Sequence, residues 1–199
     1  MSRLILVFST LLLLFLAFEN NFAHAEEGRH TLGAQAGQVG LLGDVGTTYG
    51  NALGYGVFFD YAASDWLELE LNFLASKHSS NNLNLSQNAY AAYMIYNIDQ
   101  LDAFVPYLKL GAEFVSHTQD LAGNTGTFSS GQFNSGFGLD VGAGGKFILG
   151  SNVSAGLDLT YHSVFDVSST PPLATASQKV IQSYYTVMFR LGFEFGKAK

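Results

Sequence analysis

The side chains most able to do chemistry are few and badly spaced for it. Beyond residue 25 the histidines are His30, His78, His117 and His162, and no two stand close enough in sequence to form a ligand pair. His78 and His117 fall in or beside polar stretches that read as external loops, where a surface metal site is conceivable. His162-Ser163 places a base next to a nucleophile. In a strand, neighbouring side chains point to opposite faces, so the two cannot hydrogen-bond without irregular backbone. Val141 to Lys146 reads Val-Gly-Ala-Gly-Gly-Lys and suggests a phosphate loop. It lacks the pattern, because Asp140 stands where the first Gly belongs and Phe147 where Ser or Thr must follow the Lys. There is no Cys, hence no disulfide and no thiolate ligand. The expectation is a protein with no catalytic residues, no cofactor and no assigned metal ligands, and not an enzyme.

The charged residues are more informative, because they follow a period of two. From Tyr184 to Phe195 the chain reads Tyr-Tyr-Thr-Val-Met-Phe-Arg-Leu-Gly-Phe-Glu-Phe. Val187, Phe189, Leu191, Phe193 and Phe195 share one parity, and Arg190 and Glu194 the other. Further strands repeat the pattern. Leu53, Tyr55, Val57, Phe59 and Tyr61 oppose Asp60; Leu67, Leu69, Leu71 and Phe73 oppose Glu68 and Glu70. Leu108, Leu110, Ala112 and Phe114 oppose Lys109 and Glu113. Phe137, Leu139, Val141, Ala143 and Phe147 oppose Asp140 and Lys146, and Val153, Ala155, Leu157, Leu159 and Tyr161 oppose Asp158. A weaker first strand covers His30 to Val39, with Leu32, Ala34 and Ala36 on one side. A fourth runs from Asn88 to Tyr96, with Ala89, Ala91, Tyr93 and Ile95 expected to face outward.

Between these strands lie Gly-rich or polar stretches at Leu41 to Ala52, Ser76 to Gln87, His117 to Asn134 and Phe165 to Gln178, all read as loops. They alternate with short links at Ala62 to Asp65, through Asp99 and Asp102, and at Leu149 to Asn152. Eight strands of roughly ten residues suit tilted crossings of a ~25 Å apolar band, and the long–short rhythm is that of external loops and periplasmic turns. The predicted fold is all-β: an eight-stranded antiparallel up-and-down transmembrane β-barrel.

Composition agrees. The chain has 199 residues with 22 Gly and 3 Pro; 48% are hydrophobic and 13% charged, against about 25% charged in a soluble domain. A net charge of −7 makes nucleic acid an improbable partner. Turning Asp60, Glu68, Glu70, Lys109, Glu113, Asp140, Lys146, Asp158, Arg190 and Glu194 toward lipid would cost ~20 kcal/mol, so their face must line the lumen. A soluble lipocalin-type barrel would need this face to be its solvent coat, yet half of it is Gly, Ser, Thr and Asn. Across their neighbouring strands Asp158 is expected to meet Arg190, and Asp60 to face Glu68 where the two flank one tight turn. The acids outnumber the bases, which leaves two readings: a plug of paired charges, or a cation-preferring pore. Tyr55, Tyr61, Tyr161 and Phe195 are candidate members of interfacial girdles.

The N-terminus reads as an export signal. Arg3 precedes the apolar run Leu4 to Phe18, and Ala23-His24-Ala25 offers a cleavage site before Glu26. The expected organisation is a cleaved leader over 1–25 and an outer-membrane barrel over 26–199.

From Glu26 to Phe195 the chain resembles the small outer-membrane β-barrels of Gram-negative bacteria, the OmpA-transmembrane, OmpX and OmpW-like group. The resemblance rests on the architecture and on Val187-x-Phe189-x-Leu191-x-Phe193-x-Phe195, which is similar to the aromatic-terminated signal read by the outer-membrane insertion machinery; here Gly196 to Lys199 follow it. It implies outer-membrane lipid and that machinery as partners. It implies either a structural or surface-interaction role or passage of small apolar molecules. The candidate contact loops are those around Asp44, Asn81 to Asn84, Gly123 to Gly131 and Pro171, with Phe128 and Phe133 as their apolar members.

Overall fold

A computed structural model describes residues 29–80, 83–98, 103–121, 132–169 and 183–196. The chain forms β1 (His30–Leu41), α1 (Gly43–Tyr49), β2 (Asn51–Ala62), β3 (Leu67–Ser80), β4 (Leu83–Asn97), β5 (Phe104–Leu121), β6 (Gln132–Ile148), β7 (Val153–Ser169) and β8 (Tyr184–Phe195). Each strand pairs antiparallel with the next, and β8 returns to β1, so the eight strands close into an up-and-down barrel. Closure gives every strand a hydrogen-bonded neighbour on both sides, the condition for β-structure in hydrocarbon. Among the described residues no helix is long and apolar enough to cross a membrane. The leader at 1–25, Asp99, Asp102, Asn81, Gly123 to Gly131 and Pro171 lie outside the described residues.

The outer wall is apolar. Leu32, Leu53, Tyr55, Val57, Leu71, Leu108, Leu110, Leu139, Val141, Leu157 and Leu159 are all exposed on it. Aromatic pairs edge this band at both levels. Trp66 meets Tyr96 and Phe104 meets Phe147 toward the short turns, while Phe73 meets Tyr90 and Phe114 meets Phe137 toward the long connections. Tyr55, Tyr61, Tyr161 and Phe195 also face outward.

Three expectations change. The fourth strand has the opposite facing: Ala89, Tyr93 and Ile95 are buried in the lumen, whereas Tyr90 and Tyr96 are exposed. Register explains it, since Glu70 pairs with Tyr93 and Glu68 with Ile95, and directly opposed residues share a face. Second, the loop readings were too long. β3 runs on to Ser80 and β4 starts at Leu83; β5 runs through His117 to Leu121, β6 starts at Gln132, and β7 continues to Ser169. These extensions rise above the upper aromatic level, where the outward face meets water and carries residues such as Lys77 and Ser79. Polarity on both faces had hidden the alternation. Third, the Gly-rich stretch after β1 contains α1, bracketed by Gly43 and Gly50 with φ of 67° and 65°. Both are left-handed positions that favour glycine.

Leu110 lies on the lipid face between the two aromatic levels. Leu110→Arg should lower unfolding stability by about 2–4 kcal/mol in denaturant titrations of the bilayer-inserted barrel. An unchanged midpoint would contradict the assigned facing.

Candidate functional site: the lumen network

Inward positions on every strand converge on a narrow interior, and small residues make the room. At Gly142 a Cβ would come within 2.7 Å of Thr160 Oγ1 and 2.9 Å of Lys109 Cε; at Gly138, within 2.8 Å of Glu113 Oε1. Asp60, Glu68, Glu70, Lys109, Glu113, Asp140, Asp158, Arg190 and Glu194 are all buried there, and Lys146 is partly so.

At the short-turn end, Arg29 lies 3.5 Å from Glu194, and Lys146 pairs with Glu68, which also accepts a 2.8 Å hydrogen bond from Asn97. Above them Arg190 is the hub. Its Nη2 binds Glu70 and lies 3.6 Å from Asp60, its Nη1 lies 3.7 Å from Asp158, and its guanidinium stacks 3.8 Å over Phe58. The Arg190–Asp158 meeting follows the sequence reading. The Asp60–Glu68 facing does not: register sets Asp60 opposite Glu70 and Glu68 opposite Ala62, with Arg190 between the first two. Glu70 also accepts from Asn72 at 2.7 Å. Asp158 is the second hub, accepting from Lys109 at 2.9 Å, Tyr107 at 3.0 Å and Thr160 at 2.7 Å.

The next level is a cluster that sequence spacing could not reveal. Glu113, Asp140 and His162 stand on three successive strands. His162 Nδ1 lies 3.1 Å from Asp140 Oδ1 and 3.3 Å from Glu113 Oε2. The Tyr184 ring stacks on the imidazole at 4.0 Å, and its hydroxyl donates to Glu113 Oε2 at 2.5 Å. As expected, His162 and Ser163 do not converge; His162 is inward and reaches Thr186 instead.

Above this level an apolar cluster packs beside buried Ser76, His78, Gln87 and His117. Val39, Leu41, Leu74, Leu85, Ala89, Val115, Tyr184 and Met188 form one cluster, with Tyr49 and Val45 of α1 packed over it. Among the described residues, one void of about 30 Å³ lies beside Arg190 and Lys146 and one of about 10 Å³ beside Glu113 and His162. Either holds about one water.

The idea of a surface metal site at His78 and His117 fails, because both side chains are buried at the upper end of the barrel. His78 Nδ1 lies 3.1 Å from the Gly50 carbonyl and Nε2 3.1 Å from Ser76 Oγ, while His117 Nε2 lies 3.0 Å from Gln87 Oε1. They sit beyond the upper aromatic level, outside the bilayer. Burial pushes His117 down to about 4, with nearby His78 adding to the effect, and burial likewise lowers His78.

Val187, Phe189, Leu191, Phe193 and Phe195 are exposed on one outward row of β8. The sequence matches the model of the outer membrane protein beta-barrel domain over residues 8–196. The chain belongs to that family. It is an integral protein of the Gram-negative outer membrane. No curated protein matches it in sequence. Solved structures share the fold. Neisserial surface protein A superposes with a TM-score of 0.66 at 17% identity, covering 85% of this chain and all (100%) of that one. Ail of Yersinia pestis gives 0.56 at 16% identity (85% and 99% covered), and OprG of Pseudomonas aeruginosa 0.55 at 17% (88% and 99% covered).

Two outcomes follow for this outer-membrane barrel. Arg190→Met leaves Glu70 and Asp60 buried beside no cation, and should cost about 3–5 kcal/mol in denaturant unfolding; adding Glu70→Gln should recover part of the loss. His117 is neutral when folded and accepts a proton near pH 6.5 when unfolded. Its contribution to stability is therefore complete above about pH 6.5 and is lost as pH falls toward 4. The unfolding midpoint should drop through that window less steeply in His117→Gln than in the wild type.

Proposed function

We propose that this barrel is a closed anchor that presents its external connections to extracellular partners, rather than a conduit. The observation that supports the reading is the packing of the lumen among the described residues: an apolar cluster that includes Val39, Leu85, Val115 and Met188 lies in the external half, and the voids beside Arg190 and beside His162 measure only about 30 and 10 Å³. Paired charges below that cluster hold strands to one another. The strand extensions of β3 to β7 past the upper aromatic level support the same reading, since they carry the connections clear of the membrane surface on a stiff base. One structural neighbour, Ail, has been crystallised in complex with the heparin analogue sucrose octasulfate. A chain of net charge −7 is a poorer match for a polyanion, so the loops, rich in Asn, Ser, Thr and Gly, fit uncharged glycan or peptide surfaces better. The chain is not an enzyme on this reading, because Ser163 and His162 point to different faces. The outward row Val187 to Phe195 is the segment offered to the insertion machinery during assembly, and 1–25 is the leader removed beforehand.

Planar-bilayer conductance of the refolded chain 26–199 tests the proposal. The expected result is a correctly folded, electrically silent barrel. Discrete cation-selective steps that change on Glu70→Gln or Asp140→Asn would replace it with a narrow channel. Deletion of 123–131 should abolish binding to arrayed extracellular glycans and matrix proteins while heat-modifiable mobility shows an intact barrel; retained binding would overturn the loop assignment.

A further inference from the structure

The lumen charges do not pair off evenly. Glu68 has Lys146, Glu70 has Arg190, Asp158 has Lys109 and Glu194 has Arg29, while Asp60 shares Arg190. Among the described residues, the one charge partner that Glu113 and Asp140 have is His162. Each of the three side chains is at least nine-tenths buried. Two carboxylates so enclosed cost several kcal/mol each unless something neutralises them.

The hydrogen bonds are incomplete in a specific way. His162 Nδ1 makes no hydrogen bond of normal direction, although a carboxylate oxygen of each acid lies within 3.3 Å of it. Glu113 Oε1 and both oxygens of Asp140 also accept none of normal geometry, with the Tyr93 phenol beside Asp140. The opposite nitrogen, His162 Nε2, lies 3.3 Å from Thr186 Oγ1. A proton held at Nε2 toward Thr186 leaves the Nδ1 lone pair facing the carboxylates. Metal-bound histidines are oriented in this way, with the distal N–H given to an outer partner. Tyr184 does the same for Glu113, tying down Oε2 by its hydroxyl and the imidazole plane by stacking.

The spacing also fits. Ligand atoms from the three residues lie within 4.8 Å of one another. Bonds of about 2.0–2.2 Å to one ion put neighbouring ligand atoms roughly 2.8–3.6 Å apart in octahedral or tetrahedral geometry. The nitrogen–oxygen separations of 3.1 and 3.3 Å fall in that interval. The adjoining void of about 10 Å³, lined by Glu113, His162, Tyr93 and Tyr184, has room for about one further water ligand.

We propose that Glu113, Asp140 and His162 form a lumenal site for one divalent transition-metal ion. Two carboxylates and a neutral imidazole exactly offset a charge of +2. The nitrogen donor favours zinc, manganese, iron or cobalt over calcium or magnesium, which take oxygen ligands in greater number. The ion would cross-link β5, β6 and β7 beneath the apolar cluster. Because the site is enclosed, it fills as the barrel folds.

The test is to refold the chain 26–199 from chelator-treated denaturant with Zn²⁺, Co²⁺ or Ca²⁺, wash with chelator, and measure metal per barrel by mass spectrometry. The expected result is about one tightly retained Zn²⁺ or Co²⁺, a raised thermal midpoint, and no retained Ca²⁺. His162→Gln and Asp140→Asn should lose the ion, and His78→Gln and His117→Gln should keep it. If the wild type retains no transition metal, the cluster is a protonated ion-pair triad and the proposal is wrong. Equal retention by His162→Gln would likewise overturn it, by placing the ion elsewhere. Should a variant not fold, nitrogen NMR of Zn²⁺-loaded wild type decides: the expected shift is at His162 Nδ1, and a shift at another histidine instead rejects the site.

Discussion

The pairing of β1 with β8 is the contact on which the rest of this molecule depends. Hydrocarbon offers no partner to a peptide group, so a sheet in the bilayer is viable only if its first and last strands find each other. The register from His30 against Phe195 to Leu41 against Tyr184 makes that join along the whole of both strands. Once the sheet is closed, alternation has only two destinations, lipid and lumen, and every side chain must suit one of them. Charge goes inward because it has nowhere else to go.

That inward traffic creates the second constraint. Eight strands enclose little space, so each charged side chain needs both a partner and a gap. The gaps are glycines: Gly142 admits Lys109 and Thr160, and Gly138 admits Glu113. The partners are set by register and not by proximity in the chain. Arg190 collects carboxylates from β2, β3 and β7, and Asp158 collects donors from β5 and its own strand. Order in the lumen thus fixes strand order from within, as the aromatic pairs do from outside.

Much of this was legible in the chain. β8 spans Tyr184 to Phe195 as its alternation indicates, and the turn at Leu149 to Asn152 falls where expected. Both read clearly because a Leu–Glu or Phe–Arg alternation has one physical meaning in a membrane. β4 did not, because Asn, Ala and Tyr occupy both of its parities, and only the pairing of Glu70 with Tyr93 decides its facing. Strand ends were hidden for a related reason: past the headgroups both faces meet polar surroundings, so Lys77, His78 and Ser79 look like loop. The Glu113–Asp140–His162 cluster was beyond reach, since it exists only through the opposition of Asp140 to His162 and of Glu113 to Gly138.

The layering of the lumen has one more consequence. Charged side chains fill the half nearest the short turns, and Val39, Leu85, Val115 and Met188 pack with α1 in the other half. At the base Arg29 and Lys146 keep partial exposure. The two ends of the interior therefore differ in kind: ionised groups keep partial contact with solvent at the base, through Arg29 and Lys146, whereas the titratable groups at the other end, His78 and His117, are enclosed and uncharged neighbours surround them.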